Sequence, residues 1–244
     1  ASYLRAFSVS SQDVEPTDIV FSTDGTKMYI TGDINDNLFR YSLSTAWNVS
    51  TASYDQNLNL ASQESQPFGA FFKPDGTELY ITGPAGGDIN QYTLSTAWDL
   101  STASFTRNFS VSAQDNTPTS VFFKPDGLVM YVLGNQFDKV NEYSLSTAWN
   151  ISSASFSDSF DVSSQSTTSE GIFFKPDGTK FYVTGNTSGG RVSEFNVSGS
   201  PTVSLPAAVE NEPVVALLPS ARVTYDFFTM DGGTTVKLIG EEIV

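Results

Sequence analysis

The acidic side chains are the groups in this chain whose type could do chemistry. The 244 residues include 27 Asp and Glu but no His and no Cys. A Ser-His-Asp triad, a Cys nucleophile and zinc sites built on His or Cys are therefore excluded. The carboxylates that remain are hard oxygen ligands, which favour calcium over transition metals.

The balance of charge limits the partners that the chain can have. Its 12 basic and 27 acidic residues give a net charge of −15, and such a surface repels phosphate backbones, so we expect no nucleic-acid binding. No apolar run approaches the roughly 20 residues of a membrane span, and the N-terminus lacks the basic-then-apolar pattern of a signal peptide. We therefore expect no membrane span.

An internal repeat sets the framework that must position the carboxylates. The stretch YSLSTAWNVSTASY at 41–54 returns at 92–105 and again at 143–156, so that Trp47, Trp98 and Trp149 are 51 residues apart. Each unit contains four strand-like runs rich in aromatic and β-branched residues, and the first two are joined by a Thr-Asp-Gly or Pro-Asp-Gly turn. Four antiparallel strands in a unit of roughly 40–50 residues indicate one blade of a β-propeller.

The number of copies predicts four blades. The first three strands occur four times, starting near 18, 69, 120 and 171, and the last strand occurs four times, starting at 1, 52, 103 and 154. We predict an all-β, four-bladed β-propeller over residues 1–198, with its ring closed by pairing of residues 1–9 with the third strand of the last blade, near 191–197. The alternative is an arc of a larger ring.

The tryptophans occur in connectors that are nearly identical in all three copies. Trp followed by Asn or Asp suits an anchored turn, so we interpret Trp47, Trp98 and Trp149 as structural. A stacking platform for a sugar is the alternative.

The loops between the second and third strands, and the segments that enter the first strand, lie on one face of a meandering propeller. We call this the loop face; unlike the turns on the opposite face, it differs from blade to blade, and variable loops on a rigid scaffold commonly carry recognition. Its acidic residues are the candidate ligand or partner residues: Asp13, Glu15, Asp33, Asp36, Asp88, Asp115 and Asp138. Calcium on the surface or in the central channel is an alternative, but no loop has a dense Asp-x-Asp-x-Asp spacing, so we assign no metal ligand, no catalytic residue and no cofactor.

Residues 199–244 differ from the repeats. Pro201, Pro206, Pro213 and Pro219 indicate an extended segment, and RVTYDFFTM, the DGG turn and TTVKLIG then predict a β-hairpin. We expect this extension to be an assembly element that packs on another subunit. The residues expected to do so are Val214, Val215, Leu217, Leu218, Tyr225, Phe227 and Phe228.

Two resemblances bear on function. The blade pattern F-x-P-D-G-T-x-x-Y-V-T-G resembles the YVTN and lactonase-like group of propeller repeats, and the stretches SLPAAVENEP and YDFFTMDGGTTVKLIG resemble the C-terminal segment of virion structural proteins of tailed, particularly marine, bacteriophages. Together they imply a non-enzymatic virion structural or adhesion protein, located in the extracellular particle, with other virion proteins, copies of itself or a cell-surface glycan as partners. The alternatives are a carbohydrate-binding propeller and a calcium-dependent lactonase-like hydrolase.

Overall fold

The computed structural model describes residues 2–186 and 190–197 in full, and the backbone of four short strands after residue 222. The chain divides into two compact units, residues 1–197 and residues 198–244.

The first unit is a four-bladed β-propeller, as predicted, built from four antiparallel sheets. Blades 1 and 2 each have four strands in meander order: β1 (Pro16–Phe21), β2 (Lys27–Gly32), β3 (Asn37–Leu43), β4 (Ala52–Asn59), then β5 (Gly69–Phe72), β6 (Glu78–Gly83), β7 (Asp88–Leu94), β8 (Ala103–Ser110). Blade 3 repeats the scheme with β9 (Pro118–Phe123), β10 (Val129–Gly134), β11 (Lys139–Leu145) and β12 (Ala154–Asp161). Blade 4 has β13 (Ser169–Phe174), β14 (Lys180–Gly185) and β15 (Arg191–Asn196).

The conformation and hydrogen bonds of the turn between the first two strands explain why Asp and Gly recur there in every blade. Gly25 adopts a positive φ of 69°, a conformation that other residues rarely adopt. The carboxylate of Asp24 accepts hydrogen bonds from the Ser22 hydroxyl at 2.6 Å and from the backbone N–H of Thr26 at 2.9 Å. These bonds, that of Ser22 above all, lower the pKa of Asp24 to about 2.

The connector tryptophans pack on this turn. The Trp47 ring lies so close to Gly25 that any Cβ there would overlap it, and the Trp47 N–H donates to the Gly25 carbonyl at 2.9 Å. Asn48 then caps a short 3-10 helix, Val49–Thr51, by accepting from the Ser50 N–H at 3.2 Å. Trp98 and Trp149 repeat the arrangement on Gly76 and Gly127, and this geometry supports the structural interpretation of the three rings.

The hydrophobic core forms largely between neighbouring blades. One cluster joins Tyr29 and Leu38 of blade 1 to Phe72, Leu79 and Ile81 of blade 2, and comparable clusters join blade 2 to blade 3 and blade 3 to blade 4. A blade therefore completes its core only when another blade lies beside it.

The strand predicted to complete blade 4 is not found there. In the described part of the chain this sheet has three strands, in the order β13-β14-β15, and residues 2–9 belong to no strand. Residues 2–9 lie instead against blade 1, where Phe7 contacts the ring of Tyr41 and Val9 joins the core cluster. The four blades are as predicted, whereas the pairing of residues 1–9 with residues 191–197 does not occur among the described residues.

The second unit contains two short antiparallel pairs. Strand β16 (Val223–Thr224) pairs with β19 (Glu242–Ile243), and β17 (Phe227–Thr229) pairs with β18 (Val236–Leu238). The second pair corresponds to the predicted hairpin.

Candidate functional site: the loop face

The loops of blades 1 to 3 are fastened by one buried carboxylate each, at positions 51 residues apart. Asp115 accepts from the backbone N–H groups of Thr117 at 2.9 Å, Gln136 at 3.3 Å and Phe137 at 3.0 Å. It thereby ties the segment that enters β9 to the loop between β10 and β11. Its carboxyl lies against Gly134, where any Cβ would overlap it.

The other two carboxylates act in the same way. Asp13 accepts from Glu15 N–H at 2.8 Å and Asn35 N–H at 2.9 Å. Glu64 accepts from Gln66, Ala85 and Gly86 N–H groups at 2.9–3.2 Å, and burial raises its pKa. In blade 4 the matching position is Ser166. We call Asp13, Glu64 and Asp115 the loop braces.

Two more of the predicted acidic residues are buried and accept hydrogen bonds from other side chains. Asp88 accepts from the side-chain amides of Asn90 and Asn108. Asp138, with a positive φ of 50°, accepts from the Ser169 hydroxyl at 3.1 Å and so links blade 3 to blade 4. Four of the seven predicted ligand residues, counting Asp13 and Asp115, are thus used inside the protein.

The remaining three lie together at the surface of blade 1. Glu15 is exposed, while Asp33 and Asp36 are partly buried. Burial, and then the charges of Glu15, Asp36 and Asp13, raises the pKa of Asp33. Among the described residues no group of three or more acidic side chains could hold a metal ion.

The outermost positions of the loop face carry apolar side chains that the sequence reasoning missed. Val14, Ile34 and Phe137 are 66 %, 55 % and 52 % exposed. Val14 and Ile34 each lie one residue from groups held by Asp13, and Phe137 donates its own N–H to Asp115. The sequence contains a signal for these exposed apolar residues, because each position is apolar in one blade and polar or small in the next.

The predicted assembly residues all belong to the C-terminal extension. Val214, Val215, Leu217, Leu218 and Tyr225 lie outside the described residues, as do the side chains of Phe227 and Phe228. Within the described part of the chain, no helix is long and apolar enough to cross a membrane.

Comparison with known proteins supports the fold and corrects the expected function. No family model and no curated protein matches this sequence. The solved structures that resemble it include hydrazine synthase of Kuenenia stuttgartiensis, with a TM-score of 0.53 and 15% identity over 80% of this chain and 50% of that one. A proposed 6-phosphogluconolactonase of Bacteroides uniformis has a TM-score of 0.54 and 15% identity, covering 78% and 55% of the two chains. A functionally unknown protein of Desulfotomaculum acetoxidans has a TM-score of 0.54 and 18% identity, covering 76% and 56%.

The expectation of a phage virion structural or adhesion protein is contradicted by these comparisons. The neighbours include lactonase-type propellers, and none of the findings supports a phage origin for the C-terminal segment. The error has a physical reason: the repeated residues build blades and turns, which serve propellers of many functions. The chain spans about half the length of these three solved chains, and at this level of identity the likeness supports its fold, that of a β-propeller.

Proposed function

We propose that this protein is a non-catalytic binding module that contacts another protein through its loop face. The observation that carries the proposal is that the buried and the exposed side chains of these loops have different roles. The braces Asp13, Glu64 and Asp115 are buried and hold backbone N–H groups, while apolar side chains project at the tips.

The energetics favour contact with a partner. Burying one apolar side chain of this size is worth roughly 1.5–3 kcal/mol, and Val14, Ile34 and Phe137 are each more than half exposed. Loops already fixed by braces lose little conformational entropy on binding, so more of that free energy remains as affinity.

A second candidate function is hydrolysis of a lactone, and one observation favours it. Asp18, on the first strand of blade 1, lines an open cavity of about 390 Å³. Burial raises its pKa to about 6, against the lowering effect of hydrogen bonds from the N–H groups of Ala70 and Ile19. A carboxyl with a pKa near neutral pH can act as a general base, and one propeller of similar fold is a proposed 6-phosphogluconolactonase.

The experiment compares three forms of the full chain as baits for cross-linked capture in cells of its source. They are the unmodified chain, an Ile34→Ser/Phe137→Ser variant, and a Leu128→Ser control, which removes an exposed apolar residue beside a turn on the opposite face. We expect one protein to be captured by the unmodified chain and the control but lost with the loop variant, and to bind the purified chain with the same pattern.

Two results would overturn the proposal. Equal capture by all three baits would show that the loop tips are not the contact. Hydrolysis of 6-phosphogluconolactone or gluconolactone above the spontaneous rate, abolished in Asp18→Asn, would establish the second candidate instead.

A further inference from the structure

The three seams between consecutive blades are built alike. A tyrosine from the second strand of one blade packs on a phenylalanine from the first strand of the next, with ring centroids 4.1–4.5 Å apart. The pairs are Tyr29 with Phe72, Tyr80 with Phe123, and Tyr131 with Phe174. The repeat assigns a fourth pair, Tyr182 with Phe21, but these two described rings do not meet, and Phe21 packs on Trp47 of its own blade instead.

In the part of the chain that the structure describes, no blade covers the face of blade 1 that a preceding blade would cover. Ile19 is 52 % exposed, whereas Ala70 and Val121, at the matching positions of blades 2 and 3, are 7 % and 4 % exposed. The open cavity of about 390 Å³ lies on this face, lined by Phe7, Ile19 and Val49 among others.

Among the described residues, nothing covers the complementary face of blade 4. Val192 on β15 is 70 % exposed, whereas the strand-matched Val140 on β11 is 4 % exposed. Phe173 is also more than half exposed, while the matching Phe71 and Phe122 are partly buried. Each end of the row of blades therefore has the half of a seam that the other end lacks.

The N-terminal segment already occupies the place of a preceding blade's fourth strand. Phe7 meets Tyr41 edge-on at 5.6 Å, as Phe109 of β8 meets Tyr143 of blade 3 at 5.5 Å. The Arg5 guanidinium donates to the Asn48 side chain, as that of Arg107 donates to Asn150. In the described structure this segment has the packing of a fourth strand without a strand to pair with.

The register of the complete blades specifies its partner strand. Gln91 lies opposite Arg107 and Ile89 opposite Phe109 in blade 2, and Val140 lies opposite Phe160 in blade 3. The same register on β15 places Arg5 opposite Glu194 and Phe7 opposite Val192. The first pair joins opposite charges, and the second covers the most exposed apolar residue of blade 4.

We propose that a second copy of this chain supplies the missing half of each open seam. Residues 2–9 and blade 1 of one copy dock on blade 4 of the other, so that two copies form a closed ring of eight blades. A second copy fits both ends because Arg5 and Phe7 at one end match Glu194 and Val192 at the other, and the solved chains of similar fold are longer than this one, with 50–56% of their length covered at TM-scores of 0.53–0.54. A head-to-tail contact that closes after two copies gives a symmetric dimer rather than a filament. This inference does not depend on the proposed function.

A cysteine pair tests the contact and its register together. The full chain contains no cysteine, so Ala6→Cys and Ser193→Cys, which stand opposite each other in the proposed register, can be studied without background. We expect a mixture of the two single variants to give a disulfide-linked dimer under mild oxidation. The control replaces Ser193→Cys with Asn196→Cys, which is out of register and should not cross-link with Ala6→Cys.

Light scattering of the unmodified chain provides the independent measurement. We expect a mass of twice 26.4 kDa at micromolar concentration. A monomer at tens of micromolar, or a double variant Ala6→Cys/Ser193→Cys that forms its disulfide within one chain, would overturn the proposal. So would a dimer in which both cysteine pairs cross-link equally, because the contact would then lack the proposed register.

Discussion

Trp98 and Trp47 have closely similar local sequences but different surroundings. Trp98 packs on its own turn at Gly76 and also contacts Tyr29 of the preceding blade, which donates a hydrogen bond to the Trp98 carbonyl at 2.6 Å. Trp47 packs on Gly25 and Phe21 of its own blade and is 59 % exposed.

The comparison separates the features that form within one blade from the hydrophobic core that two neighbouring blades form together. The turn, the tryptophan and the capped 3-10 helix form in every complete blade because all their partners lie within about thirty residues of sequence. The hydrophobic core between blades needs residues from two copies of the repeat, so it stays incomplete at the ends of the row.

The largest expected effect is at the tryptophans. Trp98→Ala removes a ring from between two blades and should lower the free energy of unfolding by about 3 kcal/mol or more, measured by urea denaturation at low protein concentration. Trp47→Ala should cost about half as much there, because it loses contacts within one blade only. The rest of the effect of Trp47→Ala should appear as weaker association of two copies at high protein concentration. Equal losses of unfolding free energy for the two variants in dilute solution would contradict the comparison.

The loop braces should contribute similar stability in blade 1, which lacks a preceding blade, and in blade 3, which has one. Asp115→Ala and Asp13→Ala each remove a buried carboxylate and leave the partly buried backbone N–H groups of the loop without their acceptor, which should cost roughly 2–3 kcal/mol. The two losses should differ by no more than about 1 kcal/mol, with Asp115→Ala the larger, because Asp115 accepts from three N–H groups and Asp13 from two, and these bonds lie within one blade in each case. Glu15→Ala, at an exposed neighbouring position, serves as the control and should change stability by less than about 0.5 kcal/mol. A much smaller loss for Asp13→Ala would show that its loop is not fixed independently of the open seam.

Replacing Asp18 should stabilise the protein, in contrast to the substitutions above, and the size of the effect should depend on pH. Its pKa is raised to about 6 from 3.8, chiefly by burial, so ionising it in the folded state costs free energy and its contribution to stability falls as pH rises from about 4 to 6. Asp18→Asn keeps an acceptor for the Ala70 N–H and removes that cost. The variant should be more stable than the parent chain at pH 7, by roughly 1–2 kcal/mol. The difference should shrink toward pH 4 in parallel urea titrations, and a difference that does not vary with pH would refute the assignment.

The smallest effect concerns a single hydrogen bond across a covered seam. Tyr80→Phe keeps the ring against Phe123 but removes the hydroxyl that donates to the Trp149 carbonyl at 2.6 Å. The expected loss is about 1 kcal/mol, because that carbonyl still accepts from the Gln91 side chain at 3.0 Å. A loss above that of Trp47→Ala would show that the hydroxyl, rather than the ring, holds the seam.

The sequence by itself determined the blades. The 51-residue spacing of Gly25, Gly76, Gly127 and Gly178 predicted their number, and the aromatic and β-branched runs predicted their strands. These features were accessible because turns and antiparallel neighbours are local, and a glycine with positive φ is required at the same place in every copy.

Only the tertiary structure decided the roles of the acidic residues and whether residues 2–9 pair with a strand of blade 4. Asp115 is separated by about twenty residues from the N–H groups of Gln136 and Phe137 that it accepts from, and although acidic residues recur at its position as Asp13 and Glu64, that spacing does not specify whether the carboxylates face solvent or the loop backbone. Residues 2–9 have the sequence of a fourth strand, yet in the described structure they keep the packing partner of that strand and lack its hydrogen-bonding partner. Strand sequence specifies which faces are apolar, whereas the edge that a strand joins depends on where the curvature of the whole ring brings that edge.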